Sequence, residues 1–272
     1  MTITFKAKTQ DAFVIKILFE LLQNNLRTAC IELSQEGIKM RMTDYNRHIL
    51  IDLNLASENF SIYKCKSEKF YIGVNLSHVH KMLKTIKKKD NITIYIDDNE
   101  PTELCITVEP KENTRVTTSK VKIQFIENIH PELPEGYEKS ILVSSSEYQK
   151  MIKEMNSIGK SVKIISKGGY IKFLSDEGGI YSKNVTFGEY SKDEDDDDYN
   201  EDSELFSHTY ETDKLTRISK IAGLSNNMQI YTRSDLPLAF RSSVGSLGKI
   251  SIYVKSKNQI ENDENEENDD SE

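Results

Sequence analysis

The chain has 272 residues, with 36 Lys and Arg against 44 Asp and Glu, three cysteines, five prolines and no tryptophan; 37% of its residues are apolar and 29% charged. That content suffices for a sizeable core, arranged as one large domain or two of about 130 residues. No segment approaches the ~20 apolar residues of a membrane span, and the opening MTITFKAKTQ lacks the apolar centre of a signal peptide, so a cytosolic or nuclear, non-secreted protein is expected.

Predicted elements begin with a helix over TQDAFVIKILFELLQNN (9–25), where Phe13, Ile17, Leu18, Leu21 and Leu22 recur at helical spacing and Lys16 lies on the other face. Alternating runs GIKMRM (37–42) and HILIDLNL (48–55) read as strands. A second helix is expected over NLSHVHKMLKTIKKKD (75–90), burying Leu76, Val79, Met82, Leu83 and Ile86, with Lys81, Lys84 and Lys88 on the opposite side. Strands NITIYIDD (91–98) and ELCITVE (103–109) follow. The segment from 119 to 139 contains Pro131, Pro134 and several turn residues, which suits an extended connector.

Past the connector the same order recurs. SSSEYQKMIKEMNSIG (144–159) opens with the capping pattern Ser144-x-x-Glu147, buries Tyr148, Met151, Ile152 and Met155, exposes Lys150 and Lys153, and stops at Gly159. Strands SVKIIS (161–166) and YIKFLS (170–175) come next. A fourth helix, ETDKLTRISKIAGL (211–224), should bury Leu215, Ile218 and Ala222 and expose Lys214, Arg217 and Lys220. Strands at 228–233, 237–242 and 249–254 complete the set. GIKMRMTD resembles GYIKFLSD, and NITIYIDDNEPTELCI resembles NMQIYTRSDLPLAF, so the chain reads as a duplication. The expected fold is α+β: an N-terminal domain over 1–118, a connector over 119–136 and a C-terminal domain over 137–257, each with helices on one face of antiparallel sheets.

The net charge of −8 hides a segregation. Residues 189–204 hold ten acids and one lysine, and 261–272 hold eight acids and no base; the other 244 residues carry 35 bases and 26 acids, a balance of +9. Runs of like charge stay solvated, so 189–204 is expected to be a loop and 258–272 a disordered tail. A basic body suits either a polyanionic partner or a solvated surface. Read from Asp193, the acidic loop has the carboxylate spacing of a calcium loop, but Asp198 stands where the turn needs glycine.

No catalytic constellation, cofactor-binding motif or metal-ligand spacing stands out. His78 and His80, two apart on a helix, do not share a face. Ser144 to Ser146 read as a helix cap. Cys30, Cys65 and Cys105 are odd in number and far apart, and are expected to be buried, reduced thiols. What recurs is a cation on the outward face of every predicted helix, suited to sequence-blind contact with phosphates.

FYIGVNLSHVHKMLK (70–84), NITIYIDDNEPTEL (91–104) and SDLPLAFRSSVGSLGKISIYVKSK (234–257) resemble the proliferating cell nuclear antigen family of DNA polymerase sliding clamps, and the likeness covers nearly the whole chain. The resemblance implies a homotrimeric ring, with helices lining a hole for duplex DNA, that raises polymerase processivity and does no chemistry. Twelve helices ~10 Å apart would enclose a bore of ~38 Å. It implies DNA-facing bases at Lys16, Lys81, Lys84, Lys150, Lys153 and Lys220, to which helical spacing adds Lys214 and Arg217.

The resemblance further implies a groove for partner peptides carrying a PIP-box motif, brought by the polymerase, the clamp loader and other replication or repair proteins. Its residues here would be Ile126, Ile129, Leu133, Pro134, Pro237 and Tyr253, with Thr43 and Arg47 standing where the family has methionine and histidine. Lys255-Ser256 replaces the family's Ala-Pro. Arg47 and Lys255 would make the groove more basic and favour acidic partners. Subunits would join through edge strands near 103–110 and 180–188, and Lys167 aligns with a lysine that some relatives use for ubiquitin attachment. The implied address is the nucleus, or a cytoplasmic replication site for a viral chain. Alternative readings are a subunit of a heterotrimer or checkpoint clamp, and a protein-binding scaffold that does not encircle DNA.

Overall fold

A computed structural model describes residues 3–111, 115–189 and 205–269. Apart from Glu189, the acidic segment 189–204 and its calcium-loop spacing lie outside these residues, as does the end of the tail from 270. The chain forms two compact units: Met1–Glu132 with Gly223–Ser225 and Ser242–Ser251, and Leu133–Ala222 with Asn226–Arg241 and Ile252–Glu272.

The first unit runs β1 (Ile3–Thr9), α1 (Ala12–Asn25), β2 (Thr28–Ser34), β3 (Gly37–Thr43), β4 (Ile49–Ala56), β5 (Ile62–Cys65), β6 (Lys69–Asn75), α2 (Leu76–Leu83), β7 (Asn91–Asp97), β8 (Glu103–Glu109) and β9 (Thr117–Lys122). Its strands pair antiparallel in the orders β5-β1-β7-β8-β9 and β6-β2-β3-β4. Helix α1 buries Ala12, Ile15, Leu18, Phe19, Leu21 and Leu22, whereas Phe13 and Ile17 are only half-buried, unlike the predicted stripe. The helix is apolar on more than one side, and Val14 and Ile17 meet the turns around Gly245 and Gly223.

The expected second helix to residue 90 ends at Leu83. Beyond it, Ile86 remains buried and donates to the Leu83 carbonyl at 3.1 Å, while the Asp90 carboxylate accepts the Lys87 N–H at 2.8 Å. The chain thus leaves the helix in a side-chain-capped turn. Strand β8 is paired on both sides, so the edge expected near 103–110 is instead β9. Residues 119–122, expected in the connector, belong to that strand, because Thr117–Lys122 alternates and Val121 turns inward. The extended connector begins after it, and Gly73 and Gln124 exchange backbone hydrogen bonds of 2.8 and 3.1 Å.

The second unit contains β10 (Ser140–Ser144), α3 (Ser145–Ile158), β11 (Ser161–Lys167), β12 (Tyr170–Glu177), β13 (Tyr181–Gly188), β14 (Phe206–Glu211), α4 (Thr212–Arg217), a 3₁₀ turn (Ile218–Gly223), β15 (Asn227–Tyr231), β16 (Leu238–Val244), β17 (Gly248–Val254) and α5 (Lys257–Asp269), with the ends of β16 and β17 belonging to the first unit. Its sheet order β13-β12-β11-β14 leaves β13 at an edge, as expected for 180–188. The Ser144 hydroxyl accepts the Glu147 N–H at 3.5 Å, as the capping pattern predicts, and Tyr148, Met151, Ile152 and Met155 are buried. Tyr148 anchors this core, its ring 5.6 Å from that of Phe240 and 6.1 Å from that of Phe173, and its hydroxyl donates to the Leu215 carbonyl at 3.2 Å.

The fourth helix keeps α geometry only to Arg217. Leu215, Ile218 and Ile221 are its buried apolar residues, spaced by three, so Ile221 takes the place expected for Ala222. The disordered tail expected from 258 is likewise overturned as far as Asp269 by α5. Ser256 and Gln259 form a reciprocal capping box: the Gln259 N–H donates to the Ser256 hydroxyl at 3.2 Å, and the Ser256 N–H donates to Gln259 Oε1 at 2.9 Å. Ile260 is buried, the Lys257 ammonium donates to the Ser161 hydroxyl at 2.6 Å, and the helix packs on β14.

Candidate functional site

In the first unit, Lys81 on α2 and Lys84 just past its end are exposed to solvent. Lys16 does not. Its ammonium donates to the carbonyls of Lys84 at 2.8 Å and Ile86 at 3.1 Å, and lies 5.6 Å from the Phe13 ring centroid. A helix ends with four carbonyls that lack intrahelical partners and with a negative dipole end, and a cation placed there satisfies both needs. Lys16 therefore holds the end of α2, where the sequence suggested an outward-facing cation.

In the second unit, Lys150 and Lys153 are exposed on α3, and Lys150 pairs with Glu147 at 2.8 Å. Arg217 is exposed and pairs with Asp213 at 2.6 Å, one helical turn away. Lys220 is half-buried in the 3₁₀ turn. Lys214, expected to be exposed, retains only 8% of its accessible surface and pairs with Glu211 at 3.1 Å. Three residues of α-helix fall about 60° short of a full turn, so Lys214 and Arg217 diverge and Lys214 rotates inward. Solvent-exposed pairs such as Lys150–Glu147 contribute little and exchange readily for a phosphate.

The residues matched to the partner groove divide between the units. Thr43 ends β3, half-buried. Arg47 is exposed with φ 58°, a left-handed conformation held by Asp44, whose carboxylate accepts the N–H groups of His48 at 2.7 Å and Ile49 at 2.8 Å. Ile126 is half-buried where the connector passes β6, and a Cβ at position 73 would stand 2.5 Å from its Cγ1, so glycine there permits the approach. Ile129 is 67% exposed.

In the second unit Leu133, Pro134 and Pro237 are half-buried, whereas Tyr253 is fully buried. Tyr137 joins these residues. Its hydroxyl donates to the Pro237 carbonyl at 2.5 Å, and its ring lies 6.2 Å from that of Tyr253 and 5.9 Å from that of Tyr231. The Arg241 guanidinium sits 4.5 Å over the Tyr231 ring. Burial, and then the neighbouring Tyr253, push the Tyr137 hydroxyl well above the ordinary phenol range. The sequence reading missed Tyr137 and Arg241, because their part is set by cross-strand packing that no local pattern announces.

Lys255 pairs with Asp263 of α5, so the extra basicity expected from it is locally neutralised. The spacing Ser256-x-x-Gln259 was the available signal for that helix.

The N-terminal domain model of proliferating cell nuclear antigen matches residues 4–130, and the C-terminal domain model matches 132–257. The chain belongs to the proliferating cell nuclear antigen family. Among its relatives is a protein named "Probable DNA polymerase sliding clamp 1" from Paramecium bursaria Chlorella virus 1, 25% identical over 257 residues that cover 93% of this chain and 96% of the relative. The proliferating cell nuclear antigen of Chaetomium thermophilum is 26% identical over 255 residues, covering 93% of this chain and 97% of the relative.

Nucleophilic chemistry has no support in this family member's thiols. Cys30 and Cys105 are buried as expected; Cys65 is half-buried, its thiol donating to the Ser67 carbonyl at 3.2 Å. Burial raises the pKa of all three, which keeps them as thiols. Among the described residues, no three His, Cys, Asp or Glu side chains come together in a metal-binding group, and no helix is long and apolar enough to cross a membrane.

Proposed function

We propose that three copies of this chain close into a ring around duplex DNA, joined β9 to β13, and that partners dock by PIP-box-like peptides against the connector. The chain is a DNA sliding clamp, a processivity factor and not an enzyme, with DNA and a DNA polymerase as its partners. Such a protein works topologically: loss of a protein contact no longer means loss of the template, so the polymerase's effective concentration at the primer end stays high.

The observation that carries the ring reading is the pair of half-satisfied edges. Among the described residues, β9 pairs only with β8, and β13 only with β12. Val116 beside the first edge, and Ile180 and Tyr181 beside the second, are exposed apolar residues. Joining the two edges between copies would supply the missing backbone hydrogen bonds and cover these side chains. Lys81, Lys84, Lys150, Lys153, Arg217 and Lys220 are assigned to phosphate contact; Lys16 acts through the end of α2, and the paired, buried Lys214 is left out.

Native mass, measured by light scattering on the purified chain, tests the ring. A mass of three copies supports it. A stable monomer, or trimers formed only with a second type of subunit, overturns it.

A further inference from the structure

We propose that the turn after α2, residues 85–90, is a second phosphate-binding site beside the helix faces, one that grips the backbone of nucleic acid through Lys87, Lys88 and Lys89. The inference rests on the sliding-clamp reading above, and adds to it a contact that helix periodicity does not supply.

The turn is built, not merely exposed. Lys84 donates its N–H to the Lys81 carbonyl at 3.4 Å, and Ile86 donates to Leu83 at 3.1 Å while its side chain stays buried. The Asp90 carboxylate accepts the Lys87 N–H at 2.8 Å, and the Asp90 N–H returns to the Lys87 carbonyl at 3.2 Å. From α1, Lys16 reaches across to the carbonyls of Lys84 and Ile86. The acid of this segment is thus spent on backbone and only 6% exposed, and the carbonyl end of α2 is met by a cation. Both features remove negative charge that would repel a phosphate.

What the turn presents is one sign only. Lys81, Lys84, Lys87, Lys88 and Lys89 are all exposed, and none has an acidic partner among the described residues. Several lysines elsewhere are matched with acids, among them Lys8 with Glu109, Lys39 with Glu36, Lys120 with Glu100 and Glu103, and Lys183 with Glu154. Lys88 lies 5.9 Å from the centroid of the Phe13 ring that also faces Lys16, which limits its freedom before any ligand arrives. Five unpaired cations within nine residues repel one another, and the ligand that relieves this is a polyanion with regularly spaced charges, the phosphodiester backbone.

The test is binding of a labelled 30-base-pair duplex by the full chain across a salt series, with anisotropy as the readout. The K87A/K88A/K89A variant is expected to lose about tenfold in affinity near 0.1 M salt, and its log K against log salt slope to fall by about 2 to 3, one for each lost phosphate contact. Circular dichroism melting at the wild-type temperature shows that the fold is kept. A variant with K81A, K84A, K150A and K153A is measured beside it. If that variant loses slope while the turn variant keeps it, the helix-face reading stands and the turn proposal is overturned. If both keep the wild-type slope, both readings fall. If the turn variant keeps duplex affinity but no longer binds vesicles of mixed phosphatidylcholine and phosphatidylserine, the occupant is a lipid surface and the proposal is overturned.

Discussion

Lys16 and Lys84 are joined by a hydrogen bond of 2.8 Å from the ammonium of one to the carbonyl of the other, which ties α1 to the end of α2. A residue whose spacing suggested contact with a ligand is thereby a structural cap, and its loss should be felt in stability. Lys16→Met keeps the aliphatic stem and removes the donor, and should cost about 1–2 kcal/mol, with a melting temperature lower by a few degrees. An unchanged melting curve would show that the carbonyls find water equally well.

Alkaline pH should unfold the protein earlier than its lysines alone would predict. Burial raises the pKa of Tyr63, Tyr137, Tyr148 and Tyr210 in the folded chain. Above pH ~10 the unfolded chain releases these protons while the folded chain keeps them, so the folded state binds more protons and stability falls as pH rises. Below pH ~10 both states hold the protons, and these groups contribute no pH dependence. Part of the tyrosinate absorbance should therefore appear only with the loss of the folded circular dichroism signal. A single titration step preceding unfolding would contradict this.

Packing around Tyr148 should be costly to disturb. Tyr148→Phe leaves the ring contacts with Phe173 and Phe240 and removes the hydroxyl given to the Leu215 carbonyl, a loss of about 1 kcal/mol. Phe173→Ala opens a cavity in the same core and should cost about 3–5 kcal/mol in denaturant unfolding. Equal effects of the two substitutions would mean that the core collapses around the missing ring.

The C-terminal helix should depend on its cap. Ser256→Ala removes the acceptor for the Gln259 N–H and should destabilise α5 by about 1 kcal/mol. Hydrogen exchange over 257–265 should then speed up about fivefold, with no change in the strands of the second unit. Wild-type protection in the variant would show that burial of Ile260 alone holds the helix.

Partner selection should depend on the same helix. While Asp263 holds Lys255, a peptide of the PIP-box consensus and an acid-rich version should bind with similar affinity. Asp263→Asn frees the ammonium and should favour the acid-rich peptide by about twofold to fivefold at low salt, within the range of an exposed pair. Titration calorimetry with both peptides decides the matter; a preference already present in the wild type would place it at Arg47.

The sequence by itself determined the period of most of the strands it identified, the recurring order of helices and strands, the capped start of α3 and the segregation of acid from a basic body, because these depend on near neighbours and composition. Only the tertiary structure decided that Lys16 faces carbonyls, that Lys214 turns inward on α4, that β9 and not β8 is the edge, and that an acidic tail folds as α5. Two of those outcomes hang on partners 70 and 96 residues away in the chain, Ile86 for Lys16 and Ser161 for Lys257. The direction of a side chain is chosen by what the fold brings opposite it, and a local pattern contains no term for that.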